Sequence, residues 1–150
     1  MREATADWLM LLGAPILIGS LFLTWSHQFS PRFLRSYAGS LALRGVPRDP
    51  TAWQLYSVVD VLLAGLAAAL LVVALRGTRN GRRLVTLGLG IALAFTIHAL
   101  SVPPTNGADV FVAGLGRYGA NSPAAGAGET LAVVGIGLGL AGGLISFSAD

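Results

Sequence analysis

Four runs of apolar residues divide the chain, separated by shorter polar stretches. The second, Leu55 to Leu75, reads LYSVVDVLLAGLAAALLVVAL and holds a single charge, Asp60. About twenty apolar residues are what a helix needs to cross the hydrocarbon core of a bilayer. The others are Trp8 to Ser26, Leu84 to Val102 and Thr130 to Phe147. The pattern predicts an all-α fold, an integral membrane four-helix bundle with spans at 8–26, 55–75, 84–102 and 130–147. Since these runs and their connections use up the chain, residues 1–150 form one domain.

The first run carries Trp8 and Trp25 near its ends, and Trp53 stands just ahead of the second. Those are places for interface anchors, where aromatic belts sit. The run is too long for a signal peptide, follows a nearly neutral segment and precedes no small-x-small site, so it reads as a retained span. Pro15 is expected to kink it modestly. In the loop from His27 to Ala52, Phe33, Leu34, Tyr37 and Leu41 share a helical face, with Arg32 and Arg35 off it. That spacing suits a short amphipathic helix in the interface, and equally an irregular loop with scattered apolar residues. The loop from Thr105 to Gly128 is dense in Gly, Ala and Pro.

Composition supports the membrane reading: 54% of residues are hydrophobic and 11% charged. Soluble domains carry roughly a quarter charged residues. All ten basic residues are Arg, and there is no cysteine, which excludes disulfides and thiolate chemistry. A nucleic-acid role would need a basic surface outside the bilayer, and no soluble domain carries one. Orientation rests on the RGTRNGRR turn, Arg76 to Arg83, which favours the cytoplasm and places both termini there. Five arginines then fall on each side, so the count itself decides nothing. The expected location is a bacterial cytoplasmic membrane, with the bilayer and other integral membrane proteins, or further copies of the chain, as partners.

Helices associate in lipid through small residues and polar contacts. The fourth run has Gly135, Gly139 and Gly143 at i+4 spacing, beside Gly137 and Ala141. The second has Tyr56, Asp60, Ala64 and Ala68; the third has Thr86, Gly90, Ala94 and His98. At about 1.5 Å rise per residue, Asp60 and His98 fall at similar depth in antiparallel helices, so the spacing predicts that they meet. Ser57, Ser20, Thr24 and His27 lie toward the same level as a supporting polar face.

An acid and a histidine inside a bilayer can relay protons or bind a cation. They can equally form an interhelical hydrogen bond worth on the order of 1 kcal/mol. No further acid, base or amide continues a path from Val61 to Leu75 or from Leu84 to Ile97, which favours the structural bond. Glu129, at the start of the fourth run, reads as a first-turn acid facing the helix dipole. Asp109, Arg117, Tyr118 and Asn121 are loop residues, Arg117–Tyr118 being a weak candidate for headgroup or partner contact. No protease, hydrolase, P-loop or dinucleotide motif is present, so no enzyme, catalytic residue or resident metal is predicted. A zinc site would need His27, His98 and Asp60 together, and haem would need both histidines facing inward. No cofactor is predicted.

Leu21-Phe22-Leu23-Thr24-Trp25, followed by Trp53-Gln54-Leu55-Tyr56-Ser57-Val58-Val59-Asp60, resembles a set of small bacterial four-helix membrane proteins. Those read LFLPWY at the end of the first helix and WxxxSxxD entering the second. Thr24 replaces the proline and Ser26 follows Trp25 in place of an aromatic. The resemblance covers the first half of the chain, implies the four-span architecture and singles out Trp53, Ser57 and Asp60, but implies no activity. The function expected is a small non-catalytic subunit or scaffold of a larger membrane assembly. The alternatives are an oligomeric ion or small-solute permeation protein with Asp60 and His98 near its outer mouth, and a haem-binding subunit.

Overall fold

In the computed structural model the described residues are 2–37, 39, 43–46, 48–56, 58–105, 110–112, 116–118 and 124–147. They are mostly helical. Four long helices, α1 (Arg2–Ser20), α4 (Val59–Arg76), α5 (Arg79–Ser101) and α6 (Ala127–Phe147), pack together. Between them lie the short helices α2 (Pro31–Tyr37) and α3 (Ala52–Leu55). Four short strands complete the order: β1 (Ser26–His27), β2 (Val110–Val112), β3 (Gly116–Tyr118) and β4 (Ala124–Ala125).

Helices α4, α5 and α6 are each long and apolar enough to cross a membrane. Helix α1 is not among them, because it starts earlier and stops sooner than its apolar run. It takes in Arg2, Glu3 and Asp7, and ends at Ser20 rather than Ser26. Past Ser20 the amides of Leu21, Phe22 and Leu23 bond back three residues, to Ile18, Gly19 and Ser20. Such tightening exhausts a helix end. The Trp25 indole N–H then donates to the Ser20 carbonyl at 2.8 Å, turning the chain out of the helical path.

Other boundaries move for local reasons. The second run is broken: Tyr56 is extended, so α3 ends at Leu55 and α4 starts at Val59. Gly77 ends α4 in the left-handed conformation (φ 60°), its N–H donating to the Val73 carbonyl at 2.9 Å. Glycine adopts that conformation without the Cβ penalty. Helix α5 restarts at Arg79, so most of the arginine turn is helical. There Arg82 donates to Asp7 at 2.8 Å, tying α5 to α1.

The tightest seam joins α1 and α6. A Cβ added to Gly13 would lie 2.6 Å from the Gly135 carbonyl, and one added to Gly135 would lie 2.8 Å from the Leu17 amide. Two backbones in that contact leave no room for any side chain. Around it the core is Met10, Leu17, Leu21 and Ile136, with Leu63, Leu70 and Leu89 from the other two long helices. Helix α2 buries Phe33 in a separate cluster with Phe29 and Leu43. Its apolar face, Phe33, Leu34 and Tyr37, is therefore covered by its own loop; Leu41 lies outside the described residues.

Candidate functional site

A small β cap closes one end of the bundle. Its centre is the segment Thr24 to Gln28. On one side the Trp25 and Gln28 amides donate to the Pro50 and Arg48 carbonyls, both at 2.9 Å, and Thr24 bridges Thr51. On the other side β1 pairs antiparallel with β4, Ser26 opposite Ala125 and His27 opposite Ala124. The Gly126 and Gly128 amides donate to the Trp25 and Thr24 carbonyls, both at 2.7 Å. The Pro104 carbonyl accepts from Ser26 Oγ and Gln28 Nε2, each at 3.0 Å, which draws in the end of α5. Both polar side chains are buried and bonded, as buried polar groups must be.

Two carboxyl groups beneath this cap break that rule. Asp60, in the first turn of α4, and Glu129, in the first turn of α6, are both fully buried. Neither carboxyl has a hydrogen-bond partner among the described residues. Two buried hydroxyls are spent on backbone carbonyls. Ser20 Oγ donates to Leu17 at 2.6 Å, and Thr96 Oγ donates to Ala92 at 3.0 Å. An unsatisfied buried polar group costs on the order of 1–3 kcal/mol, and more when charged.

Aromatic rings link the two acids. Trp25 is fully buried and packs edge-on against Tyr56, centroids 5.9 Å apart; Tyr56 packs edge-on against Phe95 at 5.5 Å. Tyr56 stands four residues before Asp60, just ahead of α4. Trp25 presses on Gly128, beside Glu129, where a Cβ would meet the indole at 2.4 Å. Burial pushes the Tyr56 phenol up to about 12, helped by the negative charge of Glu129 and then of Asp60.

From this cluster an apolar groove of about 440 Å³ runs between α4 and α5. Leu66 and Gly88 line its far part, Leu62 and Ile91 its rim, and Val59 and Phe95 the part nearest the cap.

Comparison with protein-family models, with curated proteins and with solved structures finds no match. The reading therefore stands on this geometry.

The structure does not join Asp60 to His98. His98 is exposed on α5, and no hydrogen bond or ion pair links the two among the described residues. Helical spacing along the sequence does not give the side of the bundle that each group faces. His27 does not face inward either: it is exposed, and its Nδ1 lies 2.6 Å from Asp49 Oδ1. The histidines therefore offer neither the inward pair that haem needs nor a zinc set with Asp60. No group of three metal-ligating side chains occurs among the described residues.

Thr24 is half-buried in the cap, and Ser57 lies outside the described residues. Trp8 and Trp53 are outward, at 65% and 43% exposure, and Trp53 packs on exposed Phe22 at 6.0 Å. Trp25, placed at the interface from sequence, is instead a core residue, because its indole bonds back to Ser20. Gly139 meets Leu70 and Leu89, and Gly143 meets Thr86, so with Gly135 that row faces the inside of the bundle. Gly90, Ala94 and Ala68 are exposed, and Ala64 is half-buried. Cβ atoms added at Gly90 or Gly65 would meet nothing within 4 Å, as at Gly137 on α6. Sequence reasoning passed over the burial of Glu129 and the role of Phe95. The available signal was an acid followed by a wholly uncharged run from Thr130 to Phe147.

Proposed function

We propose that the protein is a small non-catalytic integral membrane subunit that packs within a larger membrane protein assembly through the outer sides of α4 and α5. The observation that carries this reading is the set of small residues those sides leave uncovered. Glycine inside a helix costs about 1 kcal/mol relative to alanine. Gly13 and Gly135 recover that cost in the α1–α6 seam, whereas a Cβ added at Gly65 or Gly90 would meet nothing within 4 Å among the described residues. Exposed Ala68 on α4, and exposed Ala94 and His98 on α5, extend the same outward sides. Small residues let a second helix approach closely in lipid, and an outward histidine gains from a polar partner there.

The test is native mass spectrometry after mild extraction from the producing membrane, with Gly90→Leu alongside. The reading expects stoichiometric association with other membrane proteins, or with further copies of the chain, that Gly90→Leu disrupts. A bare monomer from wild type, or an assembly indifferent to Gly90→Leu and Ala94→Leu, would discard it. The proposed orientation keeps both termini in the cytoplasm and the β cap outside.

A second reading, permeation of an ion or small solute by an oligomer, is favoured by the two unpartnered acids. It requires pH-dependent flux in liposomes that Asp60→Asn abolishes.

A further inference from the structure

We propose that a polar cavity at the end of the bundle opposite the β cap is a binding site for the phosphate group of an anionic phospholipid. This inference rests on the membrane reading of α4, α5 and α6, not on the assembly role. The cavity, of about 300 Å³, lies where α1 starts, α4 passes into α5 and α6 ends. Glu3, Gly77, Arg79, Arg82, Ser146 and Phe147 line it.

Three observations converge. The first is the balance of charge. Arg76, Arg79, Arg82 and Arg83 stand at this end, and the acids that the described residues bring to it are Glu3 and Asp7. Four arginines against two acids leave positive charge in excess. Glu3 is exposed, so water and salt screen its repulsion of a bound anion. The second is the placement of the arginines. Arg79 opens α5 and Arg82 follows one turn later, while the first turn holds no acid. A helix start favours negative charge, so arginines there sit against the dipole, and a phosphate beside them reverses the sign.

The third is Arg82 itself. Its side chain is 15% exposed and Nη2 donates to Asp7 at 2.8 Å, yet Nε is buried with no acceptor among the described residues. A guanidinium has five N–H donors, and a buried donor left unmet costs free energy. Phosphate supplies several acceptor oxygens in the geometry that the planar fork matches.

Depth selects a lipid over a free solute. Helices α4, α5 and α6 are each long enough to span, so a cavity at their common end falls at headgroup level. Leu75, Leu84 and Leu144 are 72%, 70% and 60% exposed toward the same end, which offers acyl chains a surface. The chains lie on these leucines while the phosphate enters the cavity. Basic pockets between spanning helices hold lipid headgroups in this way.

The test uses the full chain in mild detergent and three probes: dioleoylphosphatidylglycerol, dioleoylphosphatidylcholine and inorganic phosphate. Native mass spectrometry follows bound lipid across a titration. The proposal expects saturable phosphatidylglycerol binding, about tenfold tighter than phosphatidylcholine, that inorganic phosphate displaces only when in large excess. Arg79→Gln should weaken it about tenfold. Arg83→Gln removes the same charge from an exposed site outside the lining and should weaken it less than about twofold. Glu3→Gln should tighten it. Thermal unfolding checks that each variant is folded. If Arg79→Gln does not fold, Glu3→Gln decides, and unchanged or weaker binding there overturns the proposal. Equal affinity for the two lipids would overturn it as well. So would equal losses in Arg79→Gln and Arg83→Gln, which would mark diffuse surface charge, or inorganic phosphate binding as tightly as the lipid. Protein stoichiometry and Gly90→Leu read the assembly role independently, so either idea can fail alone.

Discussion

The α1–α6 seam and the outer sides of α4 and α5 are built from the same residue types and treat them in opposite ways. In the seam, Gly13 and Gly135 are in backbone contact and a methyl group has nowhere to go. On the outer sides, Gly65 and Gly90 sit in open space. Spacing in the sequence does not distinguish the two cases, since each lies in an apolar run at helical period. The difference is azimuth: which side of each helix its neighbours take. A small residue is a packing device only when something approaches it. In the seam that partner is α1; outside, none is found among the described residues.

The sharpest break of that comparison is a side chain forced into the seam. Gly135→Leu should cost about 3 kcal/mol or prevent folding, because overpacking here meets backbone rather than a movable side chain. Gly13→Leu should do the same. Thermal or denaturant unfolding in mild detergent reads the loss. Either variant with wild-type stability would mean that the helices do not approach as described. On the outer side, Gly90→Leu should leave the isolated chain at least as stable, with up to about 1 kcal/mol gained from helix propensity. Its effect should fall on assembly instead.

The capped end sharpens the comparison, since it is covered by loop rather than by helix. Three of the four apolar runs were legible as helices of spanning length, because hydrophobic runs of that length have few other uses. The ends of the runs were not, because hydropathy cannot separate Leu21 to Trp25, a tight turn and a strand, from one more turn of α1. Trp25 shows why: its fate rests on one indole bond to Ser20 and on pairing with residues about 25 and 100 positions away, around Pro50 and Gly126. Glu129 was hidden for the same reason. A first-turn acid looks alike in sequence whether water or a β cap lies over it. Asp60 was legible as an anomaly, but its expected partner was wrong, since equal depth with His98 says nothing about facing.

Tyr56 reports on this buried end. Its phenol is pushed up to about 12 by burial first, then by Glu129, then by Asp60. The neutral phenol is thus favoured in the folded chain. Its contribution to stability is complete below the ordinary value near 10 and is lost as pH climbs from there toward 12. Wild type should lose stability over that interval more steeply than Tyr56→Phe. A spectrophotometric titration should show Tyr56 titrating late, moved down more by Glu129→Gln than by Asp60→Asn. The reverse order would mean that Asp60 lies closer to the phenol than Glu129 does.

The smallest effect belongs to the outer surface of the cap. His27 Nδ1 and Asp49 Oδ1 are 2.6 Å apart, closer than Arg82 and Asp7 at 2.8 Å. Length is a poor guide to worth here. Both side chains are about half exposed, so water competes for each and salt screens their attraction. The strand they decorate is held already by the Trp25, Gln28, Gly126 and Gly128 amides. A double-mutant cycle with His27→Gln and Asp49→Asn should therefore return a coupling below about 1 kcal/mol, shrinking further in high salt. A coupling several times larger would require the pair to lock the cap that roofs the buried acids. The loop, rather than the helices, would then govern access to Asp60 and Glu129.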